Sequence, residues 1–351
     1  MILVYRYRVK SPTKILDEQS RAVNYVWNFC NESQKSCLRL GKRWLSGFDL
    51  DYLTTGTSKE LGLHSGTINS VCDQYAKSRK QKKRPFLRWR GKKSLGWIPF
   101  KGRNLKWKGD AFVFGGNTFR VFFSRPIPDG AIIRDGSNFS QDARGNWFLN
   151  VVLRLPDNPR RGIRTSVGID LGLHDLAALS TGEKIENPRH LAKLADKLAR
   201  AQRAGKKKQA TNIHAHVKNA RRDFQHKLST CLVKQFDAIY VGNVSSSKLS
   251  KTRLAKSVLD AGWSSFRSML AYKCDYAGGR FSEVNESFST QVCSSCGCLP
   301  EGRPKGIADL GKRQWDCVEC GSHLDRDLNS ALNILHAGSG HRSPAEGIPA
   351  L

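Results

Sequence analysis

The chain has 351 residues, of which 39% are hydrophobic, so it can form two or three domains with buried cores and is not a disordered protein. Its 59 lysine and arginine residues stand against 30 acidic residues. The resulting formal net charge of +29 exceeds what solubility requires and predicts a polyanionic partner. Because the positive charge is spread along the whole chain, it favours an extended nucleic-acid track, although a ribosome-like structural binder would share this composition.

Targeting signals and cysteine usage indicate the compartment. The sequence contains no run of eighteen apolar residues, and its N-terminus lacks the charged-then-apolar order of a signal peptide, so we expect a soluble, intracellular protein. Four of the ten cysteines form two CxxC pairs and the other six are scattered. This pattern favours metal ligation in a reducing compartment over disulfide bonds.

The first 155 residues alternate between strand-like and helical text. Residues 1–10 alternate apolar with polar and predict a strand, residues 17–40 show helical spacing, and residues 65–84 predict a helix that ends in a basic run. From residue 97 to 155, short β-rich runs are separated by Gly, Pro, Asp and Asn turns. We expect a small barrel that the first strand completes, with the helices inserted as a lobe.

Aromatic and basic residues are interleaved after the second predicted helix. A basic run at a helix end is usually only a solvated surface, but this one is followed by Trp89, Trp97 and Trp107 among arginines and lysines. That composition is typical of surfaces that grip both phosphates and exposed bases. The candidate nucleic-acid contacts are Lys82, Lys83, Arg84, Arg88, Trp89, Lys92, Lys93 and Arg103.

A Pro- and Arg-rich linker at residues 156–165 precedes a different order of elements. The text then predicts a buried strand, a hairpin, basic helices over residues 189–235 with a break at 205–212, a strand, one helix over 255–278, and a further strand. A cysteine-rich module and a last helix follow, and the final residues are expected to be mobile. The two basic helices should form an antiparallel pair.

The strongest single motif is a pair of CxxC knuckles, Cys293 with Cys296 and Cys317 with Cys320. Their separation of about twenty residues is the spacing of zinc ribbons. Four thiolates close the coordination sphere, so the predicted zinc is structural, and Cys298 is a bystander. A zinc ribbon alone would equally fit a transcription or ribosomal factor.

Two regions supply carboxylates in positions that suit a metal site. Asp170 ends an apolar strand just before Gly172, and Asp325 and Asp327 flank Arg326 at the start of the last helix. Each aspartate alone would usually form a turn or cap a helix, and Asp325 remains open to that interpretation. Together with one more carboxylate, they have the composition needed to hold two Mg²⁺ ions about 3.5–4 Å apart for phosphodiester hydrolysis.

Three motifs, "GIDLG", "CSSCG…CVECG" and "DRDLNSALNIL", together resemble the TnpB family, transposon-encoded RNA-guided nucleases from which type V CRISPR effectors are thought to descend. The resemblance covers residues 164–337 and extends to the N-terminal part mainly in layout. It implies a multi-domain α+β chain in which an RNase H-like (RuvC) α/β domain follows the first lobes. The implied regions are a wedge-like β-barrel at 1–12 and 95–158, a helical recognition lobe at 13–94, the RuvC-like domain at 164–290 and 322–338, a zinc ribbon at 291–321, and a flexible tail at 339–351. The first and last catalytic aspartates of the family fall on Asp170 and Asp327.

One departure concerns the middle acid. The family usually has a strand ending in Glu-Asp-Leu, where this chain has Gly242, Asn243 and Val244. Two glutamates on the following strand, Glu283 and Glu286, compete to replace it and point to opposite faces. In an RNase H-like sheet that strand lies about 4.8 Å from the Gly242 strand, so a glutamate there could reach across.

We predict that Glu286 is the replacement. It stands at the strand end where the other acids should converge, whereas Glu283 lies deeper, and Gly242 leaves room for a side chain. Some members of the resembled family also carry a relocated glutamate in such a "VNE" context.

The resemblance therefore implies an RNA-guided DNA endonuclease in which Mg²⁺ is held by Asp170, Glu286 and Asp327 and Zn²⁺ is structural. Its partners would be a guide RNA and target double-stranded DNA with a short adjacent motif. The resemblance implies no membrane partner and a location in the prokaryotic cytoplasm, at the nucleoid. It leaves the oligomeric state open. The alternative is a nuclease-dead, RNA-guided DNA-binding protein, which retention of both aspartates argues against. A guide-free RNase H-like nuclease or resolvase leaves the extra basic lobe unexplained.

Overall fold

The structure is a computed structural model that describes residues 1–245, 249, 251–305, 309 and 311–340. Of the predicted tail at 339–351, all but the first two residues lie outside the described residues. The chain divides into two compact units, Met1–Pro156 and Asp157–Leu351. Both contain sheets and helices, so the expected multi-domain mixture of α and β structure is confirmed at this level.

The N-terminal unit begins with a strand and four helices. Strand β1 spans Ile2–Ser11 and precedes α1 (Lys14–Arg39), α2 (Gly47–Leu53), α3 (Ser58–Leu61) and α4 (Ser65–Lys82). Helix α1 buries Leu16, Val23, Val26 and Cys30, which recur at helical spacing and form one apolar stripe. The helix α4 ends at Lys82, within the basic run, where Lys83 adopts a left-handed conformation with φ of 50°.

Eight strands of this unit form one sheet. The remaining strands are β2 (Trp97–Pro99), β3 (Lys106–Lys108), β4 (Ala111–Phe114), β5 (Asn117–Phe122), β6 (Ile132–Ile133), β7 (Asn138–Gln141) and β8 (Trp147–Arg154). They pair in the order β2-β7-β8-β1-β5-β4-β3, with β6 beside β8, so β1 lies within this sheet, between β8 and β5. Its core is aromatic, since Tyr7, Phe119, Phe139 and Trp147 are all fully buried.

The C-terminal unit is built on a five-stranded sheet. Its strands are β9 (Ser166–Leu171), β10 (Asp175–Leu179), β11 (Lys184–Glu186), β12 (Ala238–Gly242) and β13 (Arg280–Val284), in the order β11-β10-β9-β12-β13. Strand β12 is parallel to both β9 and β13, whereas β10 is antiparallel to β9. The carboxyl ends of β9, β12 and β13 therefore meet at one edge of the sheet.

In the described part of this unit, five helices accompany the sheet: α5 (Ala195–Arg203), α6 (Lys207–Gln235), α7 (Ala255–Ala261), α8 (Trp263–Ala277) and α9 (Arg326–Ser339). The break between α5 and α6 covers residues 204–206, so it shares only two residues with the predicted 205–212 segment, the rest of which is helical. The single helix predicted over residues 255–278 is wrong, because Gly262 has φ of +67° and divides it into α7 and α8. Among the described helices, none is long and apolar enough to cross a membrane.

Helix α9 packs against the centre of the sheet at close range. A Cβ on Gly168 of β9 would collide with the backbone of Ala331 and Leu335, so only glycine permits this approach. Ahead of α9, β14 (Gln314–Asp316) and β15 (His323–Asp325) form a two-stranded hairpin around the buried Trp315. The helix thus begins at the hairpin and ends over the sheet.

Candidate acid site and metal centre

The register of the sheet brings Asp170 beside Gly242. Ile169 pairs with Val241, and Gly242 pairs with Val284 on the next strand. One residue beyond Ile169, Asp170 therefore stands level with Gly242 at the carboxyl edge. Because side chains alternate along a strand, residues in this row face the same side of the sheet.

Glu286 lies directly over Gly242. A Cβ placed on Gly242 would be 2.5 Å from Glu286 Oε2 and 3.3 Å from Glu286 Cβ. The backbone N–H of Val244 donates a hydrogen bond to the Glu286 carboxylate. Glu286 follows the end of β13 and turns back over the neighbouring strand, into the space that a side chain at position 242 would occupy.

Glu283 occupies a different environment. Its carboxylate forms an ion pair of 3.2 Å with Arg267 Nη1, and 47% of its side chain is exposed. Glu283 pairs with Val241 within β13, whereas Glu286 lies two residues beyond the end of this strand. The structure brings Glu286, and not Glu283, to the side of Gly242 that Asp170 shares.

The electrostatics of Asp170 reflect crowding of acids. The pKa of Asp170 is raised to about 7, chiefly by burial and in part by the negative charges of Glu286 and Asp327, while a hydrogen bond from Ser330 and the charge of Arg326 oppose the increase. Ser330 Oγ donates to Asp170 Oδ1 over 2.9 Å. Burial also raises the pKa of Glu286, against the effects of Arg267 and the Val244 N–H. Partly buried acids that repel one another are a donor set that a divalent cation would neutralise.

Asp327 forms an ion pair with Arg313. It lies in the first turn of α9, and Arg313 Nη1 contacts its two carboxylate oxygens at 3.0 and 3.2 Å. Within the described residues, no three carboxylates have ligand atoms that all lie within 4.8 Å of one another. Asp170, Glu286 and Asp327 interact electrostatically, but their oxygens do not converge on one point in this structure.

Asp325 has the helix-capping role that the sequence left open. Its Oδ1 accepts hydrogen bonds from the N–H groups of Asp327 and Leu328, and its Oδ2 accepts one from Lys184 Nζ at 2.7 Å. Burial raises the pKa of Asp325, but these hydrogen bonds outweigh burial and hold the pKa below its ordinary value. Asp325 therefore fixes the first turn of α9, on which Asp327 is mounted.

The four predicted zinc ligands do converge. The Sγ atoms of Cys293, Cys296, Cys317 and Cys320 lie within 4.8 Å of one another. The pairs Cys293–Cys320 and Cys296–Cys317 are each separated by 3.7 Å. A tetrahedron with metal–sulfur bonds of about 2.3 Å requires sulfur separations of about 3.8 Å, so the cluster fits zinc. Cys298 is exposed and does not belong to the group.

Sequence reasoning missed two residues that contact the acids, Ser330 and Arg313. Ser330 follows Asp327 by three positions and so lies on the same face of α9, which is a signal that helical spacing contains. Arg313 is brought to Asp327 by the β14–β15 hairpin, and its position in the sequence gives no such signal. The acid site therefore includes contacts that only the tertiary structure defines.

All eight candidate nucleic-acid contacts between Lys82 and Arg103 are exposed. The three tryptophans of this region differ: Trp89 is 46% and Trp107 is 45% exposed, whereas Trp97 is half-buried. A cleft of about 630 Å³ lies nearby in the same unit. Its lining includes Trp27, Ser70, Asp73, Gln74, Lys77, Arg90, Trp97, Lys101 and Asn138. The cleft combines aromatic walls with hydrogen-bonding groups and was not predicted.

Two family models match the chain. Residues 151–253 match the model described as "Probable transposase", and residues 263–334 match "Cas12f1-like, TNB domain". The two segments together contain Asp170, Glu286, Asp327 and the four cysteines. They start near the end of the N-terminal unit and leave most of that unit unmatched.

Several relatives are named as RNA-guided DNA endonucleases or TnpB-like proteins. A Streptomyces pristinaespiralis protein named "Putative RNA-guided DNA endonuclease" is 36% identical over 242 residues, which are 65% of this chain and 58% of the relative. The Escherichia coli (strain K12) protein of the same name, InsQ, is 30% identical over 55% of this chain and 54% of its own length. TnpB-like protein L79 of Acanthamoeba polyphaga mimivirus is 33% identical over 36% of this chain and 24% of its own length. The chain thus spans little more than half of the first two relatives, and its predicted resemblance to the TnpB family is confirmed.

Proposed function

Since the chain resembles the TnpB family of RNA-guided nucleases, we propose that it is an RNA-guided DNA endonuclease with a RuvC-like site. The observation that carries the proposal is the position of Glu286 over Gly242, beside Asp170. A chain that had simply lost its middle acid would have no reason to place another carboxylate in the same space.

In this proposal the ligands of Mg²⁺ are Asp170, Glu286 and Asp327. When bound, Mg²⁺ would activate a water nucleophile and stabilise the leaving oxygen of the phosphodiester. Asp170 is oriented by Ser330, and Glu286 is oriented by the Val244 N–H. Arg313, which contacts Asp327, adds a positive charge at the edge of the site where a phosphate would approach.

The architecture supports the proposal. An antiparallel β9–β10–β11 segment followed by parallel β12 and β13 is the strand arrangement of an RNase H-like sheet, so we assign this sheet and α9 to the RuvC-like domain. We assign Zn²⁺ to the four cysteines, as the structural metal of a ribbon at 291–321. The eight-stranded sheet would be the wedge barrel, and α1–α4 the recognition lobe.

Guide RNA and target DNA would neutralise the charge of +29. We propose that the exposed residues between Lys82 and Arg103 contact nucleic-acid backbone. The cleft beside them, with Gln74, Lys77 and Asn138 on its wall, has hydrogen-bonding groups that suit the base edges of a short motif next to the target. Base pairing with the guide would select the rest of the target.

The test is cleavage of DNA by the full chain co-purified with its native RNA. We expect cleavage of a target that matches the guide, in the presence of Mg²⁺, and none of a target that does not match. Addition of a chelator for divalent cations should abolish cleavage. Specific binding of the matched target without cleavage would instead support the nuclease-dead alternative, and cleavage regardless of the guide would support a guide-free nuclease.

A further inference from the structure

The turn that carries Glu286 lies beyond the last paired residue of β13. We call residues 285–292 the Glu286 turn. Its Phe288 has φ of 62°, in the left-handed region that is unfavourable for an aromatic residue. Such a conformation persists only where the surroundings over-determine it. The strand β13 fixes only the beginning of this segment, so the position of the rest must come from other contacts.

Two buried amides on α9 hold the Glu286 turn. Asn329 Nδ2 donates to the carbonyl oxygens of Ser289 and Val292 at 3.1 and 2.8 Å. Asn333 Nδ2 donates to the same two oxygens at 2.8 and 2.7 Å. Both asparagines are at most 5% exposed, and burial of an amide is unfavourable unless it is hydrogen-bonded. The turn is therefore docked on the helix that also carries Asp327.

A pair of hydroxyls then connects the turn to Asp170. Ser289 Oγ and Ser330 Oγ are 2.8 Å apart, and Ser330 Oγ donates to Asp170 Oδ1 at 2.9 Å. A serine has one hydroxyl proton, so Ser330, which gives its proton to Asp170, must accept the proton of Ser289. Ser289 N also donates to the carbonyl oxygen of Glu286 at 3.0 Å. The backbone of Glu286 and the carboxylate of Asp170 are thus joined by two oriented hydroxyls.

The first zinc knuckle continues directly from this turn. Cys293 follows Val292, and Asn329 Oδ1 accepts a hydrogen bond from Ser294 N at 2.8 Å. One asparagine side chain consequently binds both the Glu286 turn and the knuckle. The cysteine cluster fixes the far end of the turn, and the strand β13 fixes its beginning.

We propose that Ser289 and Ser330 are positioning residues that hold the backbone of Glu286 beside Asp170, so that a bound Mg²⁺ could draw the two carboxylates together, with Asn329 and Asn333 docking the turn. This inference rests on the proposed function of the acid site. It explains how a carboxylate outside the strand can take the place of one at a strand end. Replacement of a residue that orients a metal ligand typically lowers metal affinity by about 10–100-fold.

The test measures Mg²⁺ binding by its effect on the melting temperature of the full chain with zinc present. A ligand that binds only the folded state raises this temperature as its concentration rises. We expect Ser289→Ala and Ser330→Ala each to raise the Mg²⁺ concentration that gives half of the effect by about 10-fold or more. Ser289→Thr, which retains the hydroxyl, should need about the same Mg²⁺ concentration as the unaltered chain. Ser339→Ala, on the same helix but bonded to Leu335 and His336 carbonyls, is the matched control.

An unchanged Mg²⁺ midpoint in Ser289→Ala with full zinc content would overturn the inference, even if the variant melted at a lower temperature. Ser289→Ala alone decides the matter if Ser330→Ala does not fold. A full chain that shows the expected Mg²⁺ pattern but does not cleave guided targets contradicts only the proposed function. A full chain whose melting temperature does not respond to Mg²⁺ overturns both.

Discussion

Glu286 occupies the volume that a side chain at Gly242 would need, since Oε2 of Glu286 lies 2.5 Å from the position of a Cβ on residue 242. A side chain at position 242 and the carboxylate of Glu286 are therefore coupled by sterics. A carboxylate at position 242 and one at position 286 exclude each other in this arrangement. Because of this coupling, a substitution of Gly242 should displace the Glu286 carboxylate.

Gly242→Ala should separate stability from activity. The new Cβ meets the flexible end of Glu286, which can move aside, and lies 3.2 Å from Ile334 Cδ1, which needs only a small shift, so we expect unfolding free energy to change by less than about 1 kcal/mol. The displaced carboxylate should lower guided cleavage by about 10-fold or more. Chemical denaturation and single-turnover cleavage of the same preparation measure the two effects.

Gly168→Ala is the contrasting glycine substitution. Its Cβ would meet the backbone of α9 at Ala331 and Leu335, which cannot rotate away. We expect a loss of about 3 kcal/mol of stability, because overpacking a core against backbone forces elements apart. Equal stability losses in the two glycine variants would contradict the assignment of Gly242 as a position that only accommodates Glu286.

Removal of the metal from the cysteine cluster should disorder the ribbon. Cys317→Ser, or a zinc chelator, should release zinc and expose the buried Trp315, because the four-cysteine site supplies most of the order of so small a module. Limited proteolysis should then cut within residues 291–321. Cys298→Ser is the control: retained zinc is expected there, and zinc loss would show that Cys298 is a ligand.

The cap of α9 predicts a pH-dependent contribution to stability. Asp325→Ala should cost about 1 kcal/mol at neutral pH, because Asp325 accepts from two N–H groups of the first turn. Its folded-state pKa lies below the ordinary value, so the unfolded state binds its proton first as pH falls. The contribution is complete above the ordinary aspartate pKa of about 3.9 and is lost as pH falls through the lower folded-state pKa.

Thermal or denaturant unfolding of the unaltered chain and Asp325→Ala across this pH range measures the effect. The stability difference should shrink toward acid pH. Lys184→Met removes only the lysine partner of Asp325 and should cost less than the alanine variant. A difference that grew as the pH fell would contradict the capping role.

The basic segment after α4 should control the salt dependence of RNA binding. Replacement of Lys82, Lys83 and Arg84 by glutamine removes three exposed charges at the end of the helix. If all three contact phosphates of single-stranded RNA, the slope of log affinity against log salt should fall by about 2, at about 0.7 per phosphate. Lys59→Gln, at another exposed lysine, should leave the slope nearly unchanged, and an unchanged slope in the triple variant would exclude this surface.

Local patterns in the sequence were sufficient for much of the fold. Alternation predicted strand β1, and the CxxC spacing predicted which four thiols converge. The prediction of a single helix over residues 255–278 was wrong because Gly262 interrupts an otherwise helical sequence. The sequence alone does not show whether a glycine adopts a positive φ.

The acid site, like the fold, could be predicted only in part from local sequence patterns. Alternation along a strand distinguishes Glu286 from Glu283, and in the structure Glu286 lies over Gly242 while Glu283 pairs with Arg267. By contrast, the Ser289–Ser330–Asp170 connection joins residues up to 160 positions apart, and Arg313 reaches Asp327 through a hairpin. Contacts of that kind depend on how elements pack, which no local periodicity contains.

The most direct measurement is guided DNA cleavage with Mg²⁺ by the unaltered chain, Glu286→Ala and Glu283→Ala. Loss of a carboxylate ligand should remove several kcal/mol of transition-state stabilisation, so we expect Glu286→Ala, like Asp170→Ala, to lower the rate by about 1,000-fold or more. Glu283→Ala, which removes an exposed partner of Arg267, should remain within about threefold of the unaltered chain. Full cleavage by Glu286→Ala would contradict the central claim that the missing acid of β12 is supplied from beyond β13.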